Sequence, residues 1–171
     1  PKAAGAVPAL IAASSKADAK FRTEIQLALG AIGPDAAPAT DMLARSLASS
    51  DAGERESALY ALRKIGPKAN AAVRPLFQRM QADDTFEAMA AAWALARIAP
   101  ENAQVTAAVV AKLSHGLADA NEQVRLESVH GLAELGAAAK SAAPALAQAA
   151  KEDASDEVRD AAELALKRVQ T

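Results

Sequence analysis

Prolines stand at positions 1, 34, 67 and 100, 33 residues apart each time. A fixed period of this length means one small unit copied along the chain. A unit that short cannot enclose a core alone, so it must bury its apolar side against the next copy. The chain is therefore expected to form a stack whose product is a surface, rather than a fold built around one pocket.

The copies align on large aliphatic residues, Ile32, Ile65, Ile98, Leu135 and Val169, each closing a second helix. Gly33, Gly66 and Gly136 follow three of them, as suits the left-handed residue that ends a helix. Proline next restarts the chain in a rigid turn. The repeats are thus 1–33, 34–66, 67–99, 100–136 and 137–171, the fourth longer by four residues. Leu10, Leu43, Leu76, Val109 and Leu146 align the first helices, which places the extra turn near His115 to Ala118. Fourteen residues before each closing aliphatic stand Asp18, Asp51, Asp84, Asn121 and Ser155. All are good N-caps, able to accept from the free amides of a first turn. Asp51 with Glu54, and Asp84 with Glu87, have capping-box spacing. Each copy therefore reads helix, short turn, helix, and nothing reads as a strand.

The second helices repeat in finer detail. Three residues before the closing aliphatic stands leucine in every copy: Leu29, Leu62, Leu95, Leu132 and Leu166. Four before it stand Ala28, Ala61, Ala94, Gly131 and Ala165. At roughly 100° per residue these columns lie within about 60° of the closing aliphatic and form the buried stripe. Small residues there let helices of neighbouring copies approach closely. Leu95→Ala is expected to cost about 2–5 kcal/mol in a denaturant melt, the usual range for emptying a core leucine site.

Composition narrows the function classes. Half of the 171 residues are hydrophobic (51%) but only 3% are aromatic, which favours close helix packing by small side chains. A net charge of −2 gives no general attraction to a polyanion. There is no cysteine, hence no disulfide framework and no thiolate metal site. No apolar run approaches the roughly 20 residues that span a bilayer, so no membrane partner is expected. The opening at a proline already in register reads as a module excised from a longer bacterial protein. Its compartment stays open, the cytoplasm being the default.

The copies carry strings such as Val158-Arg159-x-x-Ala162-x-x-Ala165-Leu166-x-x-Val169, Phe21-Arg22 leading to Ala28-Leu29-x-x-Ile32-Gly33-Pro34, and Ala6-Val7-Pro8-Ala9-Leu10 or Ala143-Pro144-Ala145-Leu146. The tetratricopeptide and ankyrin signatures are absent. The whole chain resembles HEAT repeats, specifically the short bacterial type also found in phycobilisome (PBS) bilin lyases. The resemblance implies an all-α fold, a right-handed α-α superhelix (solenoid) of five two-helix repeats. It implies that the proline-bearing helices line the convex side and the Val-Arg helices the concave side. It also implies an arginine ladder bonded to acidic residues at the turns. Arg22, Arg55, Arg125 and Arg159 occupy that column, and Ala88 interrupts it in the third copy.

Residues the fold does not need carry the functional signal. Five before the closing aliphatic stand Leu27, Tyr60, Trp93, His130 and Leu164, holding the only Tyr and the only Trp. This column lies about 140° from the closing aliphatic, on the face opposite the buried stripe. Met89 and Leu126 lie nine residues back, Phe86 twelve back, and Lys64 and Arg97 one back, on or beside the same face. An outward helix face should be polar unless something covers it. Tyr60, Phe86, Met89, Trp93, Leu126 and His130, edged by Lys64 and Arg97, are therefore expected to form a partner-binding patch on the concave face. On this reading Trp93→Ala weakens binding and leaves the melting temperature almost unchanged.

Chemistry is not expected. His115 and His130 are the only histidines and share no ligand spacing, so no metal site is read. No glycine-flanked nucleophile or phosphate-cradling glycine motif occurs, and no cofactor is expected. Glu24, Glu56, Glu127, Glu134 and Asp160 offset the cations near the patch, which argues against a phosphate track and a nucleic-acid partner. The expected function is a non-catalytic scaffold that binds a protein or peptide. The alternative is a structural spacer, with nucleic-acid binding and bilin lyase activity behind it. A homodimer through the exposed end repeat is a further expectation.

Overall fold

The computed structural model describes residues 3–82 and 85–171, and among them ten α-helices and no strand. The helices are α1 (Val7–Ser14), α2 (Ala19–Ile32), α3 (Thr40–Ser46), α4 (Ala52–Ile65), α5 (Val73–Met80), α6 (Thr85–Ile98), α7 (Ala103–Gly116), α8 (Glu122–Leu135), α9 (Ala143–Glu152) and α10 (Asp156–Gln170). They pair in sequence into five two-helix repeats, an all-α solenoid. The chain divides into two compact units, Pro1–Ala94 and Leu95–Thr171, with the division inside α6. In the first unit α2 packs along α4, the second helices of successive repeats lying side by side. In the second unit α8 and α10 do the same.

The N-caps form as the spacing predicts. Asp18 accepts from the Phe21 amide, Asp51 from Glu54, Asn121 from Gln123 and Ser155 from Val158. Asp84 lies outside the described residues. Most of the stripe is buried: Leu29, Leu62, Leu95 and Leu132 are fully enclosed, whereas Leu166 is half-buried and Ala28 is exposed. Gly33, Gly66 and Gly136 have φ of 72°, 70° and 53°. Each closes its helix in a conformation that a Cβ would strain.

Four local readings change. After each of these glycines the chain forms a seven-residue 3-10 segment, Gly33–Ala39, Gly66–Ala72 or Gly136–Ala142, before the first helix begins. Proline at the second position of the first two supplies the fixed φ of a tight turn.

The four extra residues of the fourth repeat lie before α7, not near His115 to Ala118. The turn after α7 matches the one after α3: Leu117 and Leu47 are both buried. There Arg125 grips the carbonyls of Asp119 and Ala120, as Arg55 grips those of Ser49 and Ser50. The offset between these matched turns is already 70 residues (117 − 47). The addition is therefore Ala99–Asn102. Alanine at position 99 does not favour the left-handed exit glycine uses, and the chain leaves α6 by another turn. The Asn102 amide donates to Ala99 O, and the Asn102 side chain caps α7 through the Val105 amide.

The capping box of Asp51 and Glu54 does not close. The Asp51 amide donates to Ser49 Oγ at 3.2 Å, and Glu54 turns instead to Arg22 of the preceding repeat. Arg22 Nε donates to Glu54 Oε1 at 2.6 Å, and Arg55 Nε donates to Glu87 at 2.9 and 3.0 Å. The arginine ladder therefore exists, but in the first unit its acids sit on the second helices.

In the second unit the ladder uses different chemistry. Val124 and Val158 occupy the places of Glu54 and Glu87, and the acid moves to the turn. Arg125 makes a two-pronged pair with Asp153, at 2.8 and 3.0 Å. Ala88 has no rung to give, but Arg79 of α5 enters from the side to pair with Glu87 at 3.0 Å.

One buried polar knot escapes the periodicity argument. Gln26 is fully enclosed; its Nε2 donates to Ser46 Oγ at 2.8 Å, and Ser57 Oγ donates to its Oε1 at 2.6 Å. A buried amide is tolerated only when so satisfied.

The Arg125–Asp153 pair makes a pH prediction. The guanidinium hydrogen bond is the main cause that holds the Asp153 carboxyl below its ordinary 3.8, against the opposing effect of burial. A depressed folded-state pKa gives stability that is complete above the unfolded value and disappears as pH falls through the folded one. Asp153→Asn is expected to flatten the acid limb of a stability–pH curve below about pH 4, read by urea melts.

Candidate functional face

The proposed patch is distributed over both units. Tyr60, Lys64, Phe86, Met89 and Trp93 belong to the first, and Arg97, Leu126 and His130 to the second. Within each, the structure separates residues that the column argument treats alike.

Tyr60 and Phe86 are open, at 41% and 48% exposure, and Lys64 is exposed beside them in sequence register. Lys64 lies over the Tyr60 ring, its Nζ 5.6 Å from the centroid. Gly30 of the preceding repeat makes room for that ring: a Cβ at Gly30 would lie 2.5 Å from Tyr60 Cε1. The tyrosine thus lies flat on a helix that has no side chain at the point of contact. A larger residue at position 30 would lift the ring and tighten against the Ala61 backbone, 3.1 Å away.

Met89 and Trp93 do not stand open, contrary to the sequence expectation; they are buried, at 2% and 5% exposure. Phe86 meets Trp93 edge-on, with ring centres 6.2 Å apart and an interplanar angle of 82°. Arg63 sits over the Trp93 ring at 5.9 Å. Such edge-to-face and cation contacts suit the charge distribution of an aromatic ring. The indole Nε1 is buried and has no hydrogen-bond partner among the described residues. Trp93 is thus a core residue with Phe86 as its outer neighbour.

In the second unit Leu126 is likewise buried rather than outward. His130 is exposed on α8. Arg97 is exposed too, but its guanidinium is engaged: Nη1 donates to Glu134 Oε1 at 3.0 Å. At these exposures such a pair contributes little stability and leaves Arg97 available to exchange partners. The exposed subset of the eight residues is therefore Tyr60, Lys64 and Phe86 in one unit, and Arg97 and His130 in the other.

Periodicity placed Leu27 on the outward face, although it was not counted among the patch residues. It occupies the Tyr60 column one repeat earlier, 41% exposed. Its column membership was the signal. Among the described residues no three His, Asp or Glu side chains converge as a metal set, and no helix is long and apolar enough to cross a membrane.

The HEAT repeat model matches residues 73–167, 95 of the 171 residues and so more than half of the chain. A search of the curated proteins finds no match. Among solved structures, an engineered protein is similar with a TM-score of 0.74 and 22% identity, over 95% of this chain and 78% of that one. A designed armadillo repeat protein, solved in complex with the peptide (KR)4, matches with a TM-score of 0.75 and 22% identity, over 96% and 82% of the two chains. The complex of CpcE and CpcF of phycocyanin lyase from Nostoc sp. PCC7120 matches with a TM-score of 0.65 and 20% identity, over 94% and 98%. At these identities the likeness is one of fold. With its helix pairs, its stacked second helices and the family match over more than half its length, the chain belongs to the HEAT repeat family.

Proposed function

We propose that this chain is a non-catalytic module that binds a protein or peptide through the open face of its second helices. The observation that carries the proposal is the exposure of Tyr60 and Phe86 on consecutive second helices. In a chain with so few aromatics, two half-exposed rings on successive second helices are a large share of the open apolar surface. Tyrosine and phenylalanine present large contact area at little conformational cost, as binding anchors do. Lys64 beside Tyr60 supplies a charged rim. The peptide complex of the similar designed armadillo protein supports the choice of a peptide or protein as the ligand class. A structural spacer has no use for this surface.

The test is a quantitative pull-down comparing the natural chain with the Tyr60→Ala/Phe86→Ala double variant. Recovery of a specific partner is expected to fall at least about tenfold in the variant. The melting temperature should move little, because both rings are half in solvent. Equal recovery by both proteins would sink the proposal and leave the spacer reading. Bilin lyase activity would show instead as an absorbance change on mixing with a bilin and its acceptor protein.

A further inference from the structure

A buried serine breaks the first-helix pattern at the junction of the first and second repeats. Ser14 is 5% exposed, in a column where the next three repeats bury Leu47, Met80 and Leu117. Its Oγ has no hydrogen-bond partner among the described residues, a costly state for a buried hydroxyl. Ser14 lines a groove of about 540 Å³ between α1 and α3, together with Ile11, Met42, Arg45, Ser46 and Glu54. Both walls belong to described repeats of the first unit.

One repeat later the chain fills the equivalent place itself. Arg79, the counterpart of Ser46, enters from α5: Nη2 pairs with Glu87 Oε2 at 3.0 Å, and Nη1 donates to Leu47 O at 3.4 Å. The groove there measures about 260 Å³. Glu87 is the counterpart of Glu54, and Leu47 of Ser14. At the first junction the same acceptors stand without that guanidinium. Glu54 is 4% exposed and takes Arg22 at Oε1. Its Oε2 receives no hydrogen bond among the described residues. Glu54 Oε2 and Ser14 Oγ are thus two acceptors at the groove with no donor.

Ser46 does not supply the donor, because its Oγ is committed to Gln26 Nε2 at 2.8 Å and to Met42 O. In the next repeat Leu59 stands where Gln26 stands here, so Arg79 has no such amide to satisfy. A group that suits this groove donates several hydrogen bonds, carries positive charge and tolerates the apolar Ile11 and Met42. A guanidinium does all three: it is planar, offers five N–H donors and is weakly hydrated, whereas an ammonium is compact and strongly hydrated. Arg22 is neutralised by Glu54. Arg45 opposes a cation, but it is exposed, so water and salt screen its charge. It stands in the column of the neutral Gln78.

We propose that the groove between α1 and α3 binds a guanidinium group, the end of an arginine side chain, placed as Arg79 is placed one repeat later. Its N–H groups donate to Glu54 Oε2, to the Ser14 carbonyl and to Ser14 Oγ. This site is separate from the exposed second-helix face and does not rest on the function proposed for that face.

The test titrates arginine blocked at both ends (N-acetyl, N-methylamide) into the whole chain and follows the backbone amide signals by NMR. Saturable shifts at Ser14, Ser46 and Glu54 are expected, with the equally blocked lysine binding at least about fivefold more weakly. Glu54→Gln should weaken arginine binding about tenfold. The double variant Gln26→Leu/Ser46→Arg, which installs the arrangement of the next repeat, should abolish it, and Arg45→Gln should strengthen it. Free arginine is titrated alongside. Tighter binding than the blocked form points to the free amino acid as the source, and equal binding to an arginine of a protein; both support a guanidinium site. No saturable shift, equal binding of lysine, or inorganic phosphate binding in place of arginine overturns the proposal. Should the double variant not fold, Glu54→Gln decides, and unchanged affinity there overturns the proposal.

Discussion

Trp93→Ala is expected to lower the stability of the chain by about 3–5 kcal/mol, the range for emptying a buried large aromatic site. The indole is 5% exposed, and its loss removes both the edge contact to Phe86 and the platform under Arg63. The unpartnered Nε1 moderates the loss, since alanine also removes a buried donor without an acceptor. In a chain of this size each kcal/mol moves the melting temperature by roughly 2–4 °C, so a fall of about 10 °C is expected by calorimetry. Trp93→Phe, which keeps an apolar ring and discards the unsatisfied N–H, should lose much less. A melting temperature within a degree of the natural chain's would return Trp93 to the open surface that its column position alone predicts.

Glu87→Ala has an expected effect of similar size through a different mechanism. Glu87 is 1% exposed and receives both Arg55, at 2.7 Å, and Arg79, at 3.0 Å. Removing one member of a buried ion pair leaves the other charge without compensation, typically at a cost of about 3–5 kcal/mol. Here two guanidinium groups lose their shared carboxylate. Arg55 keeps the carbonyls of Ser49 and Ser50. Arg79 Nε is already buried without a partner among the described residues. Glu87→Gln retains the shape and one acceptor oxygen and should fall between the natural chain and the alanine variant. Urea melts of the three proteins measure the order. Because the cluster is buried, the difference should persist in 1 M salt, whereas the exposed Lys167–Glu163 pair should be screened. A loss under about 1 kcal/mol for Glu87→Ala would mean that the cluster is no stronger than a surface pair.

These two sites also show where periodicity stops. From the sequence, Glu54 and Glu87 have the spacing of helix-capping carboxylates. In the structure Glu54 faces the preceding helix, because Arg22 lies within reach there. A cap is a local arrangement of three residues; the ladder needs a residue from 32 positions away, which no local spacing describes. The outer columns fail for a related reason. Tyr60 and Trp93 have the same angular position on their helices, yet one ring lies in solvent on Gly30 while the other is enclosed. Column angle gives direction, and exposure depends on the side chains that neighbouring helices bring to that direction.

The amino-acid sequence by itself determined the two-helix unit, its period, the starts of its second helices and most of its leucine–alanine core stripe. All of these follow from contacts within a few residues and from the 3.6-residue turn, which a chain expresses without knowing its neighbours. Only the tertiary structure decided which outward residues remain open, where the longer fourth repeat absorbs its four residues, and which carboxylate each arginine takes. Those outcomes depend on the volume and charge that adjacent helices place against one another, and such pairings join residues about thirty positions apart.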